Sequence, residues 1–381
     1  MYLYLLVLLF LAFYGGINYY IGLRTAQWLA VALPRPPHPA LFWGLVTVLA
    51  LAFPLSRVAA GWLPLWAAEL LARVGGYWMA AYVYIFPALL LIDLARLLVR
   101  GLAMAAPGLL PQLSLVRGTG AVLALAFAFV LVYGSWAARA TMVTRHEVVI
   151  PKAAGPYQEL NVVLVSDTHL GTIIGPRRLQ ALVEQVNRLR PDLVLFAGDV
   201  VDDSFRPFQA RNMAAALREI RAPLGVYSVL GNHDDGAEDL PAFRAAMAEA
   251  GIQLLVDEWV QVEDAFYVVG RNDRSRSSAP LAQVLQGVDP AKPILLMDHQ
   301  PDRLDEAVAA GVDLQVSGHT HRGQVWPGRL ITRRVFEVDW GYLRKGGTQF
   351  VVTQGWGTWG PPIRVGTRSE IVVIHIRFQP A

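Results

Sequence analysis

The sequence predicts an α/β domain of mixed sheet preceded by an N-terminal bundle of about four transmembrane helices. Three observations carry this expectation. Residues 1–145 are dominated by long apolar runs, with nine arginines, no lysine and only Glu69 and Asp93 as acids. From His146 onward, short valine-rich runs alternate with charged stretches of helical spacing, the texture of strands interleaved with helices. The late strands follow one another without helices between them, which asks for a mixed sheet or two packed sheets. The chain therefore divides into an anchor, 1–145, and a second domain, 146–381.

Residues 1–23 are nearly all apolar, about the ~20 needed to cross a bilayer. No charged region precedes them as in a secretory signal, and further spans follow, so the helix is expected to be retained. The second span, 40–55, follows the link Pro34-Arg35-Pro36-Pro37-His38-Pro39; the third, 74–99, contains Pro87; the fourth is 119–138. Between the second and third, 62–73 reads as an interfacial amphipathic helix anchored by Trp62 and Trp66. Asp93 has Arg96 at i+3, which suits an interfacial ion pair better than an ion pathway. No basic side chain precedes the first span, and Arg24 and Arg35 follow it. The positive-inside rule then puts that first loop in the cytoplasm, and the amino terminus and second domain outside a plasma (inner) membrane.

The formal charge of +3 splits into +7 for residues 1–145 and −4 for the remainder. The basic excess lies between apolar segments, so no nucleic-acid partner is expected. With no cysteine, disulfides and thiolate metal sites are excluded.

Strands are expected at 146–151, 161–166, 192–197, 224–230, 266–270, 293–297, 312–317, 348–353 and 371–378. Helices are expected at 176–190, 208–221, 239–250 and 301–310, the first with proline in its opening turn and apolar Leu179, Leu182, Val183, Val186 and Leu189 on one face. The organising stretch is Asn161–Leu170, whose buried strand ends in Asp167 and His169. Later apolar runs end the same way: Gly198-Asp199-Val200-Val201-Asp202, Gly231-Asn232-His233-Asp234, Asp298-His299 and Gly318-His319-Thr320-His321. Five of the eight histidines thus sit just past strand ends, where α/β sheets place their ligands. Taken alone, His299 is more often an ordinary half-buried histidine and Asp202 as readily a loop residue; the series carries the argument.

Imidazole, carboxylate and one amide, without sulfur, suit Mn, Fe, Zn or Co as divalent ions. The donors are too many for one tetrahedral site, whereas two ions about 3.5–4 Å apart, bridged by a carboxylate, would use them all and clamp a phosphoryl transfer.

Together, Asp167-x-His169, Gly198-Asp199-x-x-Asp202, Gly231-Asn232-His233-Asp234, His299 and Gly318-His319-Thr320-His321 resemble the calcineurin-like metallophosphoesterases over roughly residues 146–378. The resemblance implies a four-layer αββα domain, two packed mixed sheets flanked by helices. It implies Asp167, His169 and His321 on a first metal and Asn232, His299 and His319 on a second, with Asp199 bridging both. It further implies a hydroxide shared by the ions as nucleophile and His233 facing the phosphate to protonate the leaving oxygen. Asp234 would then orient or charge His233, and Asp202 would support the ligands from behind.

The tail, Gly355-Trp356-Gly357-Thr358-Trp359-Gly360-Pro361-Pro362-Ile363-Arg364 and then Gly366-Thr367-Arg368-Ser369-Glu370-Ile371, resembles the membrane-associated branch that includes UDP-diacylglucosamine pyrophosphatase-like phosphoesterases. Arg364 or Arg368 is the candidate phosphate grip, and Trp356 and Trp359 are candidates for meeting a lipid tail or the membrane face. The expected function is a membrane-anchored hydrolase of a phosphodiester or pyrophosphate bond, in a lipid- or nucleotide-linked sugar at the membrane surface. The alternatives are a phosphomonoesterase or nuclease on the same site, and a membrane scaffold or sensor that binds metal without turnover.

Overall fold

A computed structural model of the chain describes residues 2–59, 61–105, 116–202, 204–234, 240–276 and 278–379. Met1 and Asp239, which open an expected span and an expected helix, lie outside the described residues. The chain forms two compact units, one of residues 1–133 with 360–362, the other of 134–359 with 363–381.

Four helices open the chain: α1 (Tyr2–Ala32), α2 (Pro39–Val58), α3 (Leu65–Ala105) and α4 (Val116–Ala137). Each is long and apolar enough to cross a membrane. Leu94, Leu125 and Val132 stand fully outward, as side chains that meet hydrocarbon rather than water would. Asn18 is satisfied internally: its Oδ1 accepts from Trp78 Nε1 at 2.8 Å and Tyr82 OH at 3.1 Å. Asp93 accepts from Tyr20 OH at 2.5 Å, pairs with Arg24 and lies 3.4 Å from Arg96. The expected i+3 pair is therefore present, with Arg24 of α1 added to it. The separate interfacial helix expected over 62–73 is not formed; from Leu65 that segment runs without a break into α3. Nothing between Leu65 and Val74 breaks a helix, and alanine and leucine propagate it.

The second unit is built on two six-stranded mixed sheets. In the first, β1 (Met142–Ile150), β12 (Glu370–Phe378), β2 (Glu159–Val165), β3 (Leu193–Phe196), β4 (Val226–Ser228) and β5 (Ile252–Leu254) lie side by side in that order. The second runs β10 (Gly341–Lys345), β11 (Thr348–Val352), β9 (Leu314–Ser317), β8 (Ile294–Met297), β7 (Phe266–Gly270) and β6 (Glu258–Val262). The strands β2 to β5 are parallel, as are β7, β8, β9 and β11. Helices α5 (Pro176–Arg188), α6 (Arg206–Ala210), α7 (Met213–Leu217), α8 (Leu240–Glu249), α9 (Leu281–Val284), α10 (Leu304–Ala309) and α11 (Arg329–Val335) complete it.

Three apolar layers explain the stacking. Val162, Leu164, Leu195, Phe266, Leu295 and Leu314, all from inner faces, form the core between the sheets. The opposite face of the first sheet packs Val163, Val194 and Phe196 against Leu179, Leu182 and Val186 of α5 and Phe243 of α8. The opposite face of the second packs Val269, Leu296 and Phe350 against Leu281 and Leu304 of α9 and α10. The result is the four-layer αββα arrangement, and central strands buried on both faces read as continuous apolar runs for that reason.

Several expectations are corrected. The strand expected from residue 146 begins at Met142, because it pairs in parallel with β12 from Met142↔Glu370 onward. The helix expected over 208–221 is two short ones, α6 and α7, broken where Asn212 adopts φ 49°. Three strands went unpredicted, β5, β6 and β10, and each is an edge strand, short or half-polar because one side needs no burial.

Candidate metal centre

The parallel strands deliver the site. The register Val165↔Phe196 sets the ends of β2 and β3 level, so the Asp167 amide donates to Gly198 O at 3.0 Å and the His169 amide to Asp199 O at 3.1 Å. On the second sheet, β8 ends before Asp298-His299 and β9 before Gly318-His319. The amide of His319 donates to both oxygens of Asp167, at 3.0 and 3.1 Å, tying the two sheets together at the site. Asp167, His169, Asp199, His319 and His321 all have φ between 45° and 67°. Five left-handed non-glycine residues in one cluster are strain held by the surrounding sheets, which points to function. Gly231 and Gly318 are obligatory here. A Cβ on Gly231 would lie 2.1 Å from Asp199 Oδ1, and one on Gly318 would lie 2.0 Å from Ser166 Oγ.

The predicted donors converge. Asp167, His169 and His321 offer atoms within 4.8 Å of one another, and so do Asp167, Asp199 and His299. His169 Nε2 is 3.1 Å from His321 Nε2, and His321 Nε2 is 3.4 Å from Asp167 Oδ1. On the other side, Asn232 Oδ1 lies 2.8 Å from His319 Nδ1 and 3.2 Å from His299 Nε2. Asp199 stands between the groups, its Oδ2 being 3.2 Å from His299 Nε2 and 3.8 Å from His169 Nε2. Asp202, buried, faces the other ring nitrogen of His169 at 3.8 Å and is placed to hold that ring's orientation. His233 reaches the rim: its amide donates to Asp199 Oδ1 at 2.8 Å, and its ring lies 5.3 Å from the half-exposed ring of Trp359.

Electrostatics favour a cation. Burial works against the charge on Asp199, but the adjoining ring of His299, with His169 and His233, outweighs it and holds the carboxyl well below the ordinary range. His299 in turn is raised well above its usual value: burial disfavours its charge, and Asp199 overrides burial. Burial, reinforced by His299, lowers His319 to about 4, and burial with His169 and Arg364 nearby lowers His321 far below its usual value. Burial lifts Asp167 to about 6, opposed by His299 and aided by Asp199. Neutral imidazoles at His319 and His321 beside buried carboxylates are a donor set for divalent metal, and a bound cation would take the place of the proton that Asp199 holds on His299, so the residues fit the expected ions.

Four expectations change here. Arg364 is fully buried, its Nη2 donating to the carbonyls of Gln354, Gly355 and Gly357 at 2.8 to 3.0 Å, so its guanidinium is spent on the loop and not offered to phosphate. Arg368 donates to Ala140 O and lies over the Trp136 ring at 5.2 Å, again an internal use. Trp356 is buried under Arg178 at 4.6 Å rather than turned toward lipid. Asp234 accepts from the amides of Val201 and Gly231, at 2.9 and 2.8 Å, so both oxygens pin the loops. Burial, then Asp199 beside it, pushes Asp234 up to about 7.

Sequence reasoning missed Asp273. It is fully buried, and both its oxygens take Gln300 Nε2 at 3.0 Å, fixing the residue next to His299. It follows the apolar run 266–270 just as the predicted ligands follow theirs, so the same rule finds it.

Fold and site together define a two-sheet αββα domain carrying a buried cluster of side chains that could hold metal. A family profile described as calcineurin-like phosphoesterase matches residues 160–323. An Aquifex aeolicus metallophosphoesterase is 31% identical over 229 residues, covering 58% of this chain and 85% of that protein. A zebrafish (Danio rerio) transmembrane protein with metallophosphoesterase domain is 29% identical over 387 residues, covering 94% of this chain and 86% of that one. Its bovine (Bos taurus) namesake is 30% identical over 263 residues, covering 64% and 59%. The chain belongs to the calcineurin-like metallophosphoesterases.

Proposed function

We propose that the chain is a membrane-anchored hydrolase of a phosphodiester or pyrophosphate bond, acting on a lipid- or nucleotide-linked sugar at the membrane surface. The observation that carries the reading is Asp199, whose Oδ2 lies between His299 at 3.2 Å and His169 at 3.8 Å, each part of a different donor group. In this reading Asp167, His169 and His321 would hold one divalent ion, Asn232, His299 and His319 would hold another, and Asp199 would serve both. When bound, such a pair supplies positive charge to the phosphoryl oxygens and lowers the pKa of a water toward ~7. The protein supplies the rest. His233, at the rim, gives a ring proton to the leaving oxygen as the P–O bond breaks and stabilises the charge developing there. Trp359 confines that ring, and Asp202 keeps the opposite nitrogen of His169 turned from the site. The four apolar helices support the anchor, and the arginines after the first span favour a plasma (inner) membrane with the hydrolase domain outside the cytoplasm.

The test is a hydrolysis screen of the purified full chain with Mn²⁺ on lipid-linked and nucleotide-linked pyrophosphates, aryl phosphodiesters, phosphomonoesters and nucleic acid. Turnover of diesters or pyrophosphates, lost in Asp199→Ala, supports the reading. Preference for phosphomonoesters or nucleic acid overturns it, and so does metal content without turnover on any of these.

A further inference from the structure

Among the described residues, α11 and the turn before it break the pattern of the second unit. Trp326, Leu330, Ile331 and Val335 are 58–66% exposed, and no residue of α11 is buried. Its inner side is held by Thr332, whose hydroxyl donates to Asp339 Oδ2 at 2.7 Å, and by Phe336 one turn on, whose ring lies 5.9 Å from that of His319. Leu330, Ile331, Arg334 and Val335 are the i, i+1, i+4 and i+5 positions of the opposite side. The segment is fastened beside the metal centre at its other end too. Gln324, three residues past His321, exchanges two hydrogen bonds of 2.9 Å with the backbone of Trp359, and the Trp326 amide donates to Val365 O at 2.9 Å. An apolar tip displayed this firmly is not a loose loop; it is built to be covered.

Charge names the cover. Between Asp313 and Glu337 there is no acidic residue, while Arg322, Arg329, Arg333 and Arg334 are all basic. Arg329, Arg333 and Arg334 have no ion-pair partner among the described residues, and Glu337 is already engaged by Lys345 at 2.8 Å. Tryptophan and aliphatic side chains flanked by arginines are the composition that seats at a bilayer interface, the rings and stems in the acyl boundary and the guanidinium groups on phosphates. A short apolar tip alone binds membranes weakly and needs a second attachment, which the four apolar helices of the same chain provide. We propose that residues 326–335 are a docking tip that inserts into an anionic bilayer surface and holds the mouth of the metal centre against it. A substrate whose lipid stays in the bilayer could then present its phosphate without leaving the membrane. That last step rests on the proposed function; the docking does not.

The chain has no cysteine, so Ile331→Cys in the full-length protein gives one labelling site on an exposed position. It is labelled with an environment-sensitive fluorophore and reconstituted in nanodiscs of phosphatidylcholine, with or without phosphatidylglycerol, carrying spin-labelled lipid. The expected result is blue-shifted emission and quenching by the spin-labelled lipid, stronger with phosphatidylglycerol. Near an anionic surface a basic residue is worth about 1 kcal/mol, so Arg333→Ala and Arg334→Ala should each weaken docking roughly fivefold. No quenching by lipid in anionic discs overturns the proposal, and so does quenching indifferent to lipid charge and to both arginines. A label shielded from aqueous iodide but untouched by spin-labelled lipid identifies a protein partner or a second copy, which also overturns it. Leu330→Cys repeats the measurement on the same face. No readout requires turnover, so a tip that docks on a protein that hydrolyses nothing separates this inference from the proposed function.

Discussion

His169 Nε2 and His321 Nε2 face each other at 3.1 Å inside the domain, although 152 residues separate them in the chain. Two N–H groups cannot occupy that contact, and a carboxylate oxygen of Asp167 lies 3.4 Å from the second ring. Either one ring donates to the other's lone pair, or both lone pairs and the carboxylate face a shared cation, as the proposed function has it. His321→Ala should therefore lower bound metal by about one ion per chain, as measured by mass spectrometry of the purified protein, and reduce turnover at least ~10²-fold. Chelation should lower the melting temperature of the wild-type protein more than that of the variant. Unaltered metal content would remove His321 from the ligand set.

His233 tests a separate part of the site. Its ring packs on Trp359 at the rim while its amide bonds to Asp199. His233→Ala should retain metal and fold but lose roughly 10²–10⁴ in kcat. The deficit should shrink for substrates with acidic leaving groups, which need no proton. An equal loss for all leaving groups would assign His233 to phosphate binding alone.

Arg364 distinguishes a structural arginine from a substrate grip. Fully buried, with a forked set of carbonyl acceptors and its Nη2 3.3 Å from His321 Nδ1, it cannot be replaced by a point charge. Burial also lowers its pKa to about 10. Arg364→Lys should destabilise the domain by about 3–5 kcal/mol, read in chemical unfolding. A normal unfolding curve with a raised KM would restore the phosphate-binding role.

Lys152 and Asp313 give a pH signature away from the metal centre. Lys152 Nζ lies 2.7 Å from Asp313 Oδ2, and the Ile294 amide donates to the same oxygen at 2.8 Å. Burial raises the Asp313 pKa despite the lysine. A carboxyl raised in the folded state contributes stability that is complete below its ordinary value of 3.8 and lost as pH rises through the raised one. Removing the cation raises it further, so Lys152→Met should cost about 2 kcal/mol at pH 7. Below pH 3.8, where the Asp313 carboxyl is protonated in the folded and the unfolded chain alike, the cost should largely vanish. Equal destabilisation at both pH values would mean that the lysine contributes packing only.

The legible part of this protein was what each strand says about itself. Val162–Val165, Leu193–Phe196 and Ile294–Met297 are buried on both faces, so each reads as an uninterrupted apolar run with its chemistry just beyond; Leu314–Ser317 is buried alike but is interrupted by Gln315. The edge strands Ile252–Leu254, Glu258–Val262 and Gly341–Lys345 need burial on one side at most, and their mixed composition hid them. The break at Asn212 was invisible because helical spacing continues through it while the backbone does not.

Residue type and order alone determined that seven metal-seeking side chains follow strand ends, and that a strongly apolar third precedes them. Which of the tail's polar residues serve the site was decided only in three dimensions. Arginine, tryptophan and aspartate carry the same chemistry whether they face a substrate or a ring of backbone carbonyls. Burial and hydrogen-bond partners tell these apart: Arg364, Trp356 and Asp234 turned inward, while Trp326 and Ile331 were left outside. Those partners lie anywhere from 3 residues away, as Gly231 does from Asp234, to 178, as Arg178 does from Trp356, so no fixed spacing announces them.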